Sequence, residues 1–249
     1  MTTRAWKWAN LITFIATIGM NAAAITLPLA GRKTQDVSAM FEHLFTPANF
    51  TFSVWSVIYT LLFVNAIDSL RRSDNEDPHI GKARVALIGA NILNFVWLVF
   101  WHNLLLGLAF PTMLGILGCL IYAFIKLEPV TLSGWAAITQ RAPIAAYLGW
   151  IAVATIANAG NTLVWLGVSG GLEPSAWAML LALVAAGIAA FLARFHGGAA
   201  FCATLAWGLW GVISRPSDGL ALIGLYLGLA LIALVVSSRW WYKAPAPLI

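Results

Sequence analysis

The stretch FTPANFTFSVWSVIYTLLFVNAIDSL, residues Phe45 to Leu70, contains the features that decide how this chain folds. A turn at Pro47 leads into an apolar run, Phe50–Leu70, in which the only charged side chain is Asp68. A helix of about 20 mostly apolar residues spans the hydrocarbon core of a bilayer, so this run predicts a transmembrane helix. Its first half is rich in aromatic rings, which a simple anchor does not need. Those rings are either ordinary packing or one wall of a site.

The composition of the whole chain indicates a membrane protein. Of its 249 residues, 61% are hydrophobic and 9% are charged, whereas soluble domains carry about 25% charged residues. Polar side chains are therefore too few to cover a water-facing globule of this size. The net charge of +5 does not indicate nucleic-acid binding, because the basic residues lie in short loops between apolar runs. In that position they set membrane topology, and the partner they predict is the lipid bilayer.

Eight apolar runs predict an all-α, polytopic bundle of about eight spans. The runs are Trp6–Leu29, Phe50–Leu70, Ala83–Trp101, Leu104–Leu127, Ala142–Val168, Ser175–Arg194, Ala199–Ser214 and Gly219–Ser238. With the N-terminus inside, eleven Lys and Arg fall on the cytoplasmic side of these spans and three on the other. The positive-inside rule then predicts a multi-pass protein of the bacterial inner membrane with both termini in the cytoplasm.

Two of the loops carry further predictions. The longest loop, Gly31–Asn49, has apolar residues at the spacing of one helix face, which predicts a short amphipathic helix on the outer membrane surface or over the bundle. A plain interfacial connector is the alternative. The residues of that face are Val37, Met40, Phe41, Leu44 and Phe45. The charged loop Arg71–Gly81 is predicted to be a solvated cytoplasmic turn.

Several function classes lack their usual residues. No Asp, Glu, Lys or Arg lies near the middle of a predicted span, which argues against ion-coupled transporters and proton pumps. The four histidines lie in loops or at helix ends without metal-ligand spacing, so no metal site is predicted. No nucleophile–base motif, phosphate loop or dinucleotide fingerprint occurs, and no catalytic residue is assigned.

Tryptophan is the unusual component of this sequence, with 13 residues. Eight lie at predicted span ends or in loops, as an interfacial belt would have them. An indole N–H in hydrocarbon needs an acceptor, so the tryptophans inside spans are expected to face the protein interior. These are Trp55, Trp97, Trp150, Trp207 and Trp210.

Polar and aromatic side chains form stripes along three predicted helices. The first helix carries Asn10, Thr13, Thr17 and Asn21; the third carries Asn91, Asn94, Trp97 and Trp101; the fifth carries Tyr147, Trp150, Ala154, Asn158 and Asn161. Polar groups in a bilayer need partners, so hydrogen bonds between helices explain the first stripe well. The other two alternate flat rings with amides. They fit either interhelical hydrogen bonding or an apolar pocket with a few placed polar groups.

Three segments resemble the TspO/MBR family of tryptophan-rich sensory or translocator proteins. They are Pro47-Ala-Asn-Phe50-Thr-Phe52-Ser-Val-Trp55-Ser-Val-Ile-Tyr59, Asn94-Phe-Val-Trp97-Leu-Val-Phe100-Trp101, and Tyr147-Leu-Gly-Trp150-Ile-Ala-Val-Ala154-Thr-Ile-Ala-Asn158. The resemblance covers about residues 10–168. It implies a five-helix unit over residues 1–168, with residues 31–49 as a capping loop. Residues 169–249 would add three helices and a short cytoplasmic tail, making this a larger, divergent member.

The resemblance also implies a site and a ligand class. Flat hydrophobic molecules such as porphyrins or sterols would bind between the helices below the first loop. A porphyrin or haem-type molecule would be a ligand there, and no resident cofactor is predicted. Family members usually form homodimers, and porphyrin breakdown has been attributed to some. The expected lining is Phe52, Trp55, Tyr59, Asn94, Trp97, Tyr147, Trp150, Ala154 and Asn158.

This chain departs from the family pattern in its first loop. Where the family has a run rich in Trp and Pro, the chain has Gly31-Arg32-Lys33 and retains only Pro47. Three functions therefore stay open. The first is a binding protein that serves as sensor, carrier or transporter of a planar ligand. The second is a permease for a small neutral metabolite, and the third is a membrane enzyme acting on a lipid or tetrapyrrole.

Overall fold

The computed structural model describes residues 3–27, 29–168, 173–192, 195, 198–215, 219, 222–230 and 233. It confirms an all-α fold, with no β-strand among these residues. The helices are α1 Thr3–Thr26, α2 Thr34–Met40, a 3-10 helix Asn49–Ser53, α3 Val54–Arg71, α4 Pro78–His102, α5 Leu106–Leu127, α6 Gly134–Gln140, α7 Ala142–Leu166, α8 Pro174–Leu192 and α9 Gly198–Ile213. Residues 222–230 are also helical.

Five helical segments of the described residues are long and apolar enough to cross a membrane. They are Thr3–Thr26, Asn49–Arg71, Pro78–His102, Leu106–Leu127 and Gly134–Leu166. These correspond to the first five predicted spans within a few residues. Two shorter apolar helices, Ser175–Ile188 and Gly198–Ile213, occupy the sixth and seventh. Of the eighth, Gly219–Ser238, residues 222–230 are helical, and residues 220–221, 231–232 and 234–238 lie outside the described part of the chain.

Local sequence signals explain where the helices begin and end. The Asp77 carboxylate accepts a hydrogen bond from the His79 N–H at 2.8 Å, and Pro78 takes the first helical position of α4, where its missing N–H costs nothing. Helix α7 ends at Gly167 in the left-handed conformation, with φ 71°, which glycine adopts without a steric penalty.

The first polar stripe forms hydrogen bonds between helices. Asn10 donates to the Asn65 side chain of α3 at 3.3 Å, and the Thr17 hydroxyl donates to the Asn91 carbonyl of α4 at 2.9 Å. Nearer the first loop, Asn21 donates to the Asn94 side chain at 3.0 Å. The hydrogen-bonding interpretation of this stripe is therefore correct.

Most residues of the charged loop after α3 are exposed, as its composition predicts, and the loop is in addition anchored by Lys7. Lys7 is only 1% exposed, and its ammonium donates to the Arg72 carbonyl at 2.8 Å, the Ser73 carbonyl at 3.1 Å and the Asp74 carboxylate at 2.9 Å. The hydrogen bond from Lys7 lowers the pKa of the Asp74 carboxyl. A buried ammonium requires such partners, so the loop is fixed to the N-terminal end of α1.

Helix α9 packs very closely against α7. The Thr204 hydroxyl of α9 donates to the Ala146 carbonyl of α7 at 2.8 Å. A β-carbon on Gly208 would lie 2.8 Å from Val153, and one on Gly149 would overlap Thr204. Small residues allow helix backbones to approach in this way. The interface joins a C-terminal helix directly to the helix that carries the third family-like segment.

Candidate functional site

A small cavity lies between α3, α4 and α7, beneath the first loop. Its volume is about 40 Å³, whereas pockets for drug-sized ligands measure about 300–1,000 Å³. The structure is thus closed, with room for small molecules such as water. The first loop and the 3-10 helix contribute Thr34, Ser38, Pro47 and Phe52, α3 contributes Trp55, α4 contributes Asn94, Trp97 and Trp101, α5 contributes Met113, and α7 contributes Trp150, Ile151, Ala154, Ala157, Asn158 and Asn161.

Seven of the nine residues expected in the site line this cavity, and two tyrosines do not. The seven are Phe52, Trp55, Asn94, Trp97, Trp150, Ala154 and Asn158. Tyr59 and Tyr147 lie one layer behind, because Trp55 stands between them and the cavity. The Trp55 ring stacks on Tyr59 with centroids 5.0 Å apart and meets Tyr147 edge-on at 5.5 Å. Both tyrosines support the Trp55 ring from behind.

Sequence patterns pointed to some of the remaining lining residues and missed others. Trp101 and Asn161 belong to the predicted stripes but were not among the nine residues expected to line the site. Met113 comes from α5, which carried no polar or aromatic signal. Thr34 and Ser38 come from the first loop, whose docking depends on tertiary packing.

The aromatic wall of the cavity is built of rings that meet edge to face. Trp55 and Trp150 have centroids 6.2 Å apart at an interplanar angle of 78°, and Phe52 meets Trp150 at 5.8 Å and 75°. Across the cavity, Trp97 and Trp101 stack at 5.3 Å. The 3-10 helix that follows Pro47 brings Phe52 into this wall. Such contacts stabilise each ring orientation by about 0.5–1.5 kcal/mol.

The amides of the cavity are held by neighbouring side chains. The Asn94 oxygen accepts from Asn21 at 3.0 Å, and the Asn158 oxygen accepts a long bond, 3.5 Å, from the Trp97 indole N–H. Because both oxygens are engaged, a bound molecule would meet the NH2 groups. Asn161 instead donates to the Ser38 and Phe41 carbonyls, at 3.1 and 2.7 Å.

The first loop covers the cavity, as the amphipathic pattern suggested, but with a shorter helix. Helix α2 ends at Met40, so the helical spacing does not continue through the loop. Val37 and Phe45 are buried, whereas Met40 is exposed, so the predicted apolar face is only partly covered by the bundle. The Trp101 indole N–H donates to the Thr34 carbonyl at 3.0 Å and fixes the beginning of α2 on the bundle.

The two tryptophans of α9 were expected to face the interior, and neither is buried. Trp207 is partly exposed, and its indole N–H donates to the Thr51 carbonyl at 3.0 Å. Trp210 is 50% exposed. It lies three residues further along α9, on a different face from Trp207. The spacing of tryptophans alone does not show which face a neighbouring helix covers.

The side chains that line the cavity are uncharged. Its walls are indole rings, aliphatic groups, carboxamides and hydroxyls, with no ionisable side chain among the lining residues. No cluster of three His, Cys, Asp or Glu that could hold a metal occurs in the described part of the chain.

A comparison with protein families identifies the relationship. The family model for TSPO-like protein matches residues 7–240. The chain belongs to the TSPO-like protein family. The match extends beyond residues 10–168, where the three motifs lie, and includes α8 and α9 of this TSPO-like protein. No curated protein and no solved structure matches the chain. Together with the apolar helices, the family match makes it an integral, multi-pass membrane protein.

Proposed function

We propose that this TSPO-like protein binds a planar hydrophobic ligand, of tetrapyrrole, sterol or isoprenoid type, in the cavity beneath the first loop. It would serve as the ligand's sensor, carrier or transporter. One observation carries the proposal: three segments far apart in sequence bring four indoles and three carboxamides to a single cavity. Packing alone does not require so many flat rings around one space.

The chemistry of the walls matches a flat, largely apolar molecule with polar edges. Each indole offers a large face for stacking and apolar burial. Burial contributes roughly 25 cal/mol per Å² of apolar surface, so a ring system covered on both faces gains several kcal/mol. The NH2 groups of Asn94 and Asn158 would orient carbonyl, carboxylate or hydroxyl groups on the ligand edge.

The closed cavity sets a condition on this function. About 40 Å³ does not hold a porphyrin or a sterol, so a ligand enters only when the first loop moves away or the indole side chains rearrange. Binding is thus coupled to opening, and the observed affinity is reduced by the cost of opening.

We further propose the arrangement in which this site operates. Residues 1–168 would form the five-helix binding unit and residues 169–249 would be the added helices with a short tail. The excess of Lys and Arg on one side supports cytoplasmic termini and an inner-membrane location in a bacterium. A homodimer is the assembly that the family resemblance favours.

The polar side chains below the cavity support the alternative that the protein is a permease. Below the cavity, polar side chains continue through the bundle toward its opposite end. They are Asn94, Asn21, Asn91, Thr17, Asn10, Asn65, Gln140 and Asp68, and all except that of Asn91 take part in side-chain hydrogen bonds. The Asn91 amide is 1% exposed, and neither its nitrogen nor its oxygen has a partner among the described residues. A small neutral solute or water would satisfy it.

The test is a titration of the detergent-purified protein with protoporphyrin IX, followed by quenching of tryptophan emission. Trp150→Phe and Asn158→Ala alter the cavity, whereas Trp135→Phe alters a tryptophan that is 63% exposed on α6. We expect saturable quenching and a Kd raised about tenfold by each cavity variant, which corresponds to about 1.4 kcal/mol. Trp135→Phe should leave the Kd unchanged.

Quenching that does not saturate, or that all three variants share with the parent, would refute a tetrapyrrole site in this cavity. Thermal unfolding of each variant separates a binding defect from a folding defect. Flux of a small neutral solute into vesicles containing the protein, blocked by Asn91→Leu, would then favour the permease.

A further inference from the structure

We propose that His43 and helix α9 form a latch that holds the first loop closed over the cavity, and that opening this latch admits the ligand. The latch consists of His43 on the first loop, which inserts against α7, of Trp207 and Gly211 on α9, and of Arg215 just after α9. Ligand admission rests on the proposed function. The latch itself is a property of the loop and can be tested without a ligand.

Three contacts join α9 to the first loop and the 3-10 helix. The Arg215 guanidinium forms an ion pair with the Glu42 carboxylate. The Ala48 N–H donates to the Gly211 carbonyl at 2.9 Å, and the Trp207 indole N–H donates to the Thr51 carbonyl at 3.0 Å. Trp207, Gly211 and Arg215 are spaced by four residues along α9 and the turn that ends it, so they lie on one side of the helix. That side of α9 therefore contacts the segment that closes the cavity.

The end of α9 is shaped to receive this segment. The Arg215 N–H bonds to the Val212 carbonyl and not to that of Gly211, so the Gly211 carbonyl is one of the acceptors that a helix end leaves unsatisfied. The Ala48 N–H satisfies it. A β-carbon at Gly211 would overlap the Thr51 side chain. Only glycine at this position allows the loop to come so close to the helix backbone.

On the other side of the loop, His43 is inserted against α7. Its Nε2 lies 3.0 Å from the Ala157 carbonyl, and its Nδ1 accepts a hydrogen bond from the Phe45 N–H at 3.2 Å. The ring rests on Gly160, where any β-carbon would overlap it. A neutral imidazole with its proton on Nε2 satisfies both contacts at once.

Protonation disrupts this arrangement. A second proton would sit on Nδ1 and face the Phe45 N–H, so an acceptor becomes a donor facing a donor. Burial lowers the pKa of His43 from its usual value near 6.5, and the Arg215 charge acts in the same direction; the hydrogen bond to Ala157 and the Glu42 carboxylate oppose them. Glu42 and Arg215 are the charged groups that face the ring, since α7 presents Ala157 and Gly160 there.

The direction of the pH effect follows from linkage. The closed loop favours neutral His43, whereas an opened loop returns the imidazole to water and to a pKa near 6.5. Above that pH, protonation does not favour either state. Below it, the open state takes up a proton that the closed state disfavours, so the ratio of open to closed rises by up to about tenfold per pH unit. Acidification should open the loop.

Two neighbouring residues of α2 provide a direct measure of opening. Ser38 lines the cavity and is 5% exposed, whereas Ala39 is exposed. In the full-length protein, Ser38→Cys and Ala39→Cys are labelled with a membrane-impermeant maleimide. The parent, with its native cysteines, gives the background. The ratio of the two rates reports access to the cavity and cancels the pH dependence of thiol reactivity.

Breaking the latch should raise this ratio. Trp207→Phe removes the hydrogen bond to Thr51 and should raise the ratio about fivefold; Arg215→Gln, which removes an exposed ion pair, should raise it two- to fivefold. The matched controls are Trp210→Phe on the exposed face of α9 and Lys33→Gln, which removes the same charge from the first loop. Both should leave the ratio unchanged.

The pH arm tests His43 separately. Between pH 7.5 and 5.5 the ratio should rise by up to about tenfold in the parent background and remain constant in His43→Gln, whose amide can still donate to Ala157. Hydrogen exchange of residues 42–51 is measured in chains that have only the native cysteines. It gives a second measure of loop opening, which Ser38→Cys cannot affect.

The outcomes separate the latch from ligand binding. A ratio that is insensitive to Trp207→Phe, Arg215→Gln and pH overturns the latch, even if protoporphyrin IX binds. A ratio that rises as expected, in a protein that does not bind protoporphyrin IX, supports the latch and refutes the proposed ligand class.

Discussion

The contact between α7 and α9 leads to a prediction whose size can be worked out from the structure. The perturbation is Gly149→Ala. Its new β-carbon would overlap the Phe201 carbonyl oxygen and the Thr204 hydroxyl, and it would lie 3.1 Å from the Phe201 carbonyl carbon. Two of these three atoms are backbone, so a rotamer change cannot relieve the clash, and α9 must move away from α7.

The magnitude combines two costs. Overpacking of a well-packed interface costs about 1–3 kcal/mol, and the hydrogen bond from Thr204 to the Ala146 carbonyl contributes about 1 kcal/mol. The total of about 2–4 kcal/mol corresponds to a fall in Tm of about 4–16 °C for a chain of this length, at about 2–4 °C per kcal/mol. Because α9 also contacts the first loop, the loop should open at the same time.

The assay is thermal unfolding in detergent, paired with labelling of Ser38→Cys. The matched control is Gly118→Ala on α5, where a β-carbon meets no other atom within 4 Å; alanine there should be neutral or slightly stabilising. If Gly149→Ala and Gly118→Ala had the same Tm, the close approach of α9 to α7 would be refuted.

Three further predictions concern polar groups. Asn91→Leu should be neutral or raise the free energy of unfolding, because it removes a buried amide with no described partner. Asn94→Leu should lower the free energy of unfolding by about 1–3 kcal/mol, because one N–H of the Asn21 amide loses its acceptor while the other still donates to the Thr17 carbonyl; chemical denaturation in detergent compares them. Lys7→Met should lower Tm by several degrees, since three hydrogen bonds that fix the loop after α3 are lost, while Lys82→Met, at an exposed position, should not. Protoporphyrin IX should associate faster at pH 5.5 than at 7.5 in the parent and at equal rates in His43→Gln, and stopped-flow quenching measures this difference.

The sequence predicted the spans well because the membrane imposes a simple length requirement. The run Phe50–Leu70 is apolar for the thickness of a bilayer, and the helical segment Asn49–Arg71 matches it closely. The motifs around Trp55, Trp97 and Trp150 also predicted which residues meet at the cavity, because the spacing along a helix fixes the face on which each side chain lies.

What the sequence could not supply is the depth of each side chain within the bundle. Tyr59 and Trp55 lie on one face of α3, yet only Trp55 reaches the cavity, because the order of layers depends on how far neighbouring helices approach. In the same way, Trp207 and Trp210 look equivalent in sequence, and the contact with Thr51 distinguishes them. Met113 came from a helix without a polar stripe, so no pattern marked it.

The polar residues of α1 have a consequence for how the protein enters the membrane. Asn10, Thr17 and Asn21 find their partners on α3 and α4, which are synthesised after α1. Its mean hydropathy is 1.4, against 2.1 for α5. Alone in lipid, Asn10 would lose its Asn65 partner, and Thr17 and Asn21 would keep only their hydrogen bonds to carbonyls of α1 itself. Each polar group left unsatisfied in this way would cost several kcal/mol. We expect α1 to remain beside the insertion machinery until α4 emerges, so the helices that complete its hydrogen bonds also determine when it can be released into the bilayer.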